Sequence, residues 1–136
     1  MNYLLDTNVC IALLNGTSQR ARQHFSDAVR AGAALATSAI VVHELWYGVA
    51  KSRLVEQNAR ALAAFLDRPI AVLDFSASDA RAAGEIRAEL ERKGKRIGEY
   101  DTLIAGQAFS RNLTLVTANT REFQRVKGLA IQDWSR

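Results

Sequence analysis

A chain of 136 residues with one cysteine and two histidines excludes a disulfide framework, and its 49% hydrophobic and 24% charged composition is that of one ordinary globular domain. The net charge of +4 at pI ≈ 9.6 favours an anionic partner. No uncharged run approaches the ~18 residues of a membrane span, and Asp6 falls where the apolar stretch of a secretion signal would begin, so a cytoplasmic location is expected.

The apolar run Tyr3-Leu4-Leu5 ends at Asp6-Thr7-Asn8 and predicts a first strand, with Val9 to Leu14 as a short helix and Cys10 buried within it. After the break at Gly16-Thr17-Ser18, Arg20 to Ala31 suits a second helix stopped by Gly32. Ala34 to Thr37 fits a buried strand, and Ser38 caps a helix from Ala39 to about Ala50. Residues 54–66 repeat apolar side chains at helical spacing. Pro69 precedes a strand over Ile70 to Leu73, and Ser76 or Ser78 then caps a helix running to about Lys93, where Glu89 and Lys93 pair. Gly94 ends it. A helix opens at Glu99-Tyr100-Asp101 and runs to about Ser110, followed by a strand over Leu113 to Thr117 and another over Leu129 to Gln132. Strands alternating with helices predict a single α/β domain over residues 1–136, a parallel sheet with helices on both faces.

Ligands of open parallel sheets bind at the carboxyl ends of the strands. Asp6 follows the first strand, Glu44 lies in the helix after the second, Asp101 opens a helix after Gly98, and Asn119 and Glu122 follow the strand over 113–117. Four segments thus bring oxygen ligands to one sheet edge. Carboxylates gathered in this way repel, and a hard divalent cation such as Mg²⁺ or Mn²⁺ relieves that. Each residue also has a local alternative. Asp6 can cap a helix, Glu44 can be a paired structural acid, and Asp101 can complement a helix dipole. Glu122 can sit in solvent, and Asn119 can be a turn residue. His24 and His43 are not spaced as a zinc pair, and Trp46 and Tyr47 read as core or interface residues rather than base-stacking platforms. The stretch 81–96 holds six Lys or Arg against three Glu and the stretch 111–127 four against one, either solvated helix faces or a phosphate-contacting rim.

The segments LLDTNVCIALL, SAIVVHELWYG, RAELERKGKRIGEYDTLIAGQA and LTLVTANTREFQRVKGLAIQDW together resemble PIN-domain ribonucleases, specifically the VapC toxins of bacterial toxin–antitoxin pairs, nearly end to end. The resemblance implies an Mg²⁺- or Mn²⁺-dependent endoribonuclease, hydrolysing RNA to a 3′-hydroxyl and a 5′-phosphate and held inactive by a cognate VapB-type antitoxin. It matches Asp6 and Asp101 to the family's principal metal-binding aspartates and Glu44 to its glutamate. The fourth acidic position is divided: many members carry Asp where this chain has Asn119, and the VTxNxREF subgroup carries a Glu corresponding to Glu122. Thr7, Asn8 and Thr117 are candidates to hydrogen-bond the carboxylates. A tRNA is the first expectation for the substrate. A homodimer is expected as well, through the apolar residues Trp46, Tyr47, Leu54, Val55 and Leu62, and a higher complex with the antitoxin.

Two other readings start from the same acids. An aspartyl-phosphate phosphotransferase or phosphatase also places Asp after a first strand, but it needs a second Asp where this chain has Asn8. A non-catalytic RNA-binding module would use the acids structurally and hydrolyse nothing.

Overall fold

β1 (Tyr3–Leu5) is only three residues long, yet Leu4 and Leu5 are both fully buried. Successive strand residues point to opposite faces, so both faces of the sheet are covered here. The computed structural model describes residues 1–136. In it, β1 pairs in parallel with β2 (Leu35–Ser38) on one side and β4 (Thr114–Val116) on the other. β3 (Ala71–Leu73) extends the sheet beyond β2, and β5 (Ile131–Gln132) beyond β4, giving the all-parallel order β3-β2-β1-β4-β5. The chain builds outward from β1 to β3, then returns to the far side of β1. The strand order therefore reverses at the β1–β4 seam, where crevices form at the carboxyl edge.

The helices are α1 (Thr7–Asn15), α2 (Gln19–Arg30), α3 (Ala39–Ala50), α4 (Val55–Leu66), α5 (Ala77–Arg92), α6 (Glu99–Ser110) and α7 (Thr120–Phe123). Helix α1 begins two residues earlier than its apolar pattern indicates, because Asp6 caps it by accepting a hydrogen bond from the Val9 amide at 2.9 Å. Ser38 caps α3 as expected, and of the two candidate serines it is Ser76 that caps α5. The expected last strand over 129–132 pairs only at Ile131 and Gln132. The short helix α7 was not anticipated from sequence. Leu62, expected at an exposed interface, is instead completely buried in the core, whereas Trp46 and Tyr47 lie on the surface. Cys10 is buried against β2, its Sγ 3.7 Å from Thr37 Oγ1, and burial pushes its thiol up to about 12.

Helices α5 and α6 pack through small residues. A methyl group on Gly106 would lie 2.6 Å from the backbone of Ala83, so the two helices approach as closely as they do because position 106 has no side chain. Beside this contact the fully buried Asp79 receives a bidentate grip from Arg111, at 3.3 and 2.9 Å, and the Ser76 amide at 2.9 Å. Gln107 joins it by donating from Nε2 to Asp79 Oδ2 at 3.4 Å and to the Asp74 carbonyl at 3.0 Å. Burial raises the Asp79 carboxyl, but the Arg111 and Ser76 hydrogen bonds outweigh it and hold the group below the usual carboxylate range.

Candidate active site

Because α1 starts straight after β1 and α3 straight after β2, Asp6 and Glu44 are delivered at the carboxyl edge of the sheet. Helix α6 runs back toward the start of β4, which places its first turn, with Asp101, at that same edge. Asn119 and Glu122 reach it from β4 through α7. Asp101 stands within electrostatic reach of Asp6, Glu122 and Glu44. All four expected acids are therefore neighbours, although their chain positions span 6 to 122.

The four differ in how they are held. Asp6 is 4% exposed. Burial pushes its carboxyl up and Glu44 adds to the push, against the Thr117 hydroxyl and the Val9 and Asn8 amides. Asp101 is half-buried; burial, then the charges of Asp6, Glu122 and Glu44, push it up to about 6. Glu44 accepts a hydrogen bond from Thr7 Oγ1 at 2.7 Å. Glu122 accepts one from Asn119 Nδ2 at 3.0 Å, while the Asn119 amide donates to Thr117 Oγ1 at 2.9 Å. Thr7 and Thr117 thus touch the acids with their side chains, as expected, whereas Asn8 contributes its backbone and its side chain is exposed.

No Lys, Arg or His forms an ion pair with Asp6, Glu44, Asp101 or Glu122, although eight such pairs form elsewhere in the molecule. The cluster is negative and uncompensated by the protein. A divalent cation with oxygen ligands suits such a donor set. The carboxylates do not close into a ready-made coordination sphere, since no three of them converge on one point as ligands of a single ion. The set fits a cation in charge and donor chemistry, and side-chain movement would complete it.

Five of the six basic residues in the stretch 81–96 are paired with glutamates of the same stretch, and Lys95 is not. Arg81, Arg87, Arg92, Lys93 and Arg96 each pair with Glu85, Glu89 or Glu91 at 2.6 to 3.7 Å. Neither histidine joins the acids. His24 reaches the Arg136 carbonyl and stacks on Trp134. His43 meets the Tyr100 hydroxyl at 3.4 Å, an aromatic contact between the residues preceding Glu44 and Asp101. The buried Asp79 and its partner Arg111 escaped the sequence reading. The pattern Ser76-x-x-Asp79 was the available signal, since it is a capping box.

Comparison with known proteins identifies the family of the whole chain. The PIN domain family matches residues 3–129. The tRNA(fMet)-specific endonuclease VapC of Shigella flexneri is 42% identical over 135 residues, covering 99% of both chains. Ribonuclease VapC2 of Rickettsia felis is 41% identical over 136 residues, covering both chains completely. Among solved structures, the VapBC2 complex of Rickettsia felis bound to a DNA fragment from its promoter superposes with a TM-score of 0.92 at 41% identity, over 98% of this chain and 99% of the other.

Proposed function

The chain belongs to the PIN-domain family and is a VapC-type ribonuclease toxin, and from that premise we propose how its own residues carry out the cleavage and on what. Nucleases of this family depend on a divalent metal; we assign Mg²⁺, with Mn²⁺ as its substitute, to Asp6 and Asp101. The observation that carries this is the acid cluster with no protein cation in it. When bound there, the cation supplies Lewis acidity toward water and toward the phosphate.

The remaining steps belong to the chain. Asp6 is fixed by its hydrogen bond from the Val9 amide, so its carboxylate is oriented before any ligand arrives. Glu44, held by Thr7, orients the attacking water or accepts its proton as it adds to phosphorus. Glu122 occupies the fourth acidic position, and Asn119 fixes its direction. The half-buried setting of Asp101 limits competing water around the scissile phosphate. The P–O3′ bond breaks as the new P–O bond forms, the departing 3′-oxygen takes a proton from solvent, and the products are a 3′-hydroxyl and a 5′-phosphate.

The substrate in this reading is a tRNA, consistent with the tRNA(fMet) specificity in the name of the Shigella relative. The inhibitor is a VapB-type antitoxin, consistent with the VapBC complexes among the structural neighbours. The toxin acts in the cytoplasm as one domain spanning residues 1–136. No helix is long and apolar enough to cross a membrane. It forms a homodimer through Trp46, Tyr47, Leu54 and Val55, which are 40% to 60% exposed; Leu62 lies beneath this surface rather than in it. Sequencing cellular RNA 5′-ends after a short pulse of expression tests the reading. New ends in a tRNA with wild type and none with Asp6→Asn support it; identical profiles for the two would overturn it.

A further inference from the structure

Four carboxylates at one edge repel an RNA strand, and one divalent cation offsets only part of their charge, so fixed positive charge close by favours seating the strand there. The basic residues of α5 and at the end of α6 are already committed. Those of α5 are balanced by their own glutamates, and Arg111 holds Asp79. Lys95, Arg121 and Arg125 have no acid within ion-pair distance. Together with Gln124, and with no other residue, they line one open recess of about 370 Å³.

The recess lies on the two segments that deliver the acids. Lys95 is in the loop leading to Asp101, and Arg121 and Arg125 flank Glu122 in and just after α7. Arg125 is half-buried and braced, donating from Nη1 to the Arg96 carbonyl at 3.0 Å, which ties these segments together and limits the ordering entropy on binding. No apolar side chain lines the recess, so it offers no surface to a nucleobase or an apolar side chain; it suits a hydrated anion. Lys127, on the same segment, lines only a neighbouring recess with Ile86, Leu90 and Phe109, and Arg125 stands between the two recesses, lining both.

We propose that Lys95, Arg121 and Arg125 form a positioning cradle for a backbone phosphate of the RNA strand adjacent to the one that is cut. The cradle rests on the acid cluster being the cleavage site, and it makes these three residues determinants of substrate register rather than of the chemistry. An acidic segment of a protein partner is the competing occupant.

The test uses the full chain and an anticodon stem–loop of the initiator tRNA, with binding measured against salt concentration. For Lys95→Ala, Arg121→Ala and the double variant, the slope of log affinity against log salt should fall in magnitude by about 0.7, the value for one single-strand phosphate. KM should rise with kcat held, and Arg125→Lys should retain what Arg125→Ala loses. Arg81→Ala and Arg92→Ala remove the same charge from α5 and should leave the slope unchanged. A series of single methylphosphonate linkages should contain one that weakens the wild type and leaves the double variant unaffected. Equal slopes for cradle and α5 variants would overturn the proposal, as would loss of antitoxin affinity with RNA affinity intact. If Asp6→Asn still cuts RNA, the active-site reading fails on its own, and the binding comparison between cradle and α5 variants still decides the cradle.

Discussion

Asp6 and Asp79 are buried almost equally, at 4% and 0% exposure, and their carboxyls are driven in opposite directions. Around Asp79 the fold assembles a guanidinium, a backbone amide and a side-chain amide, so the charged form is favoured inside the protein. Around Asp6 it supplies backbone amides and a hydroxyl, then adds the charges of further acids nearby. Burial alone therefore does not separate a structural acid from a functional one. The charge and number of the donors do: a carboxylate fully served by the protein locks helices together, and one left short is available to a ligand from solution.

The sharpest way to break this contrast is to neutralise each acid. Asp6→Asn should reduce RNA cleavage by more than about a hundredfold, since even residues that only support a metal's ligands typically cost 10- to 100-fold. Asn still caps α1, so the metal-free melting temperature should hold or rise as repulsion is relieved. Asp79→Ala should do the reverse: a stability loss of about 3 kcal/mol, the low end for a broken buried pair because Arg111 is partly exposed. Its cleavage rate per folded molecule should be unchanged. Denaturant titrations and initial rates on the same preparations read both.

Divalent cation addresses only one of the two regions. At about 100 times its dissociation constant, Mg²⁺ should stabilise the wild type by about 2.7 kcal/mol. Asp101→Asn should lose most of that gain, and Asp79→Ala should keep it. Thermal melts with Mg²⁺ against a sodium salt of equal ionic strength make the measurement.

The two regions should also titrate with opposite sign. Asp101 rises from its ordinary 3.8 to about 6 in the folded chain. The folded protein thus keeps a proton that the unfolded chain releases, and metal-free stability should decline as pH rises from about 4 to about 6. Asp79, held low, contributes stability above the ordinary carboxylate range that is lost as pH falls below it. Urea midpoints in chelator across pH 3 to 7 should lose part of the upper slope in Asp101→Asn, Asp6 supplying the rest, and part of the lower one in Asp79→Asn.

The smallest effect concerns the fourth acid. Glu122→Gln should raise the Mg²⁺ concentration needed for half-maximal cleavage and leave RNA binding nearly intact, while Asn119→Asp should be tolerated. If Glu122→Gln matches wild type across the Mg²⁺ titration, the site consists of three acids with Asn119.

What the sequence disclosed follows the range of the forces involved. Ser38, Gly98 and the apolar stripe of α4 act within a turn or two, and the elements they predict are present. Helix α7 covers four residues, too few for a periodicity to register. Leu62 shares a helical stripe with exposed neighbours, and only the packing of α4 against the core decides that it points inward. The acids were legible because Asp6, Asp101, Asn119 and Glu122 stand at strand ends or helix openings and Glu44 lies within the helix that follows β2 directly, so that topology brings them to one edge. Asp79 was not, because the residue that explains it, Arg111, lies 32 positions away and nothing local links the two. The self-pairing of α5 was legible in principle at i,i+4 spacing, but the excess of basic residues obscured how many of them were already balanced.

One further property follows from the seating of Cys10 beneath α1. A thiol with no solvent exposure, pushed up to about 12, is inert to alkylating reagents while the chain is closed. Being the sole cysteine, it reports exposure of one site, by α1 lifting from the sheet or by unfolding of the whole chain, and the denaturant dependence of labelling separates the two. That helix is capped by Asp6 and begins at Thr7, so labelling under conditions that favour local opening times the loosening of the floor on which the acids stand.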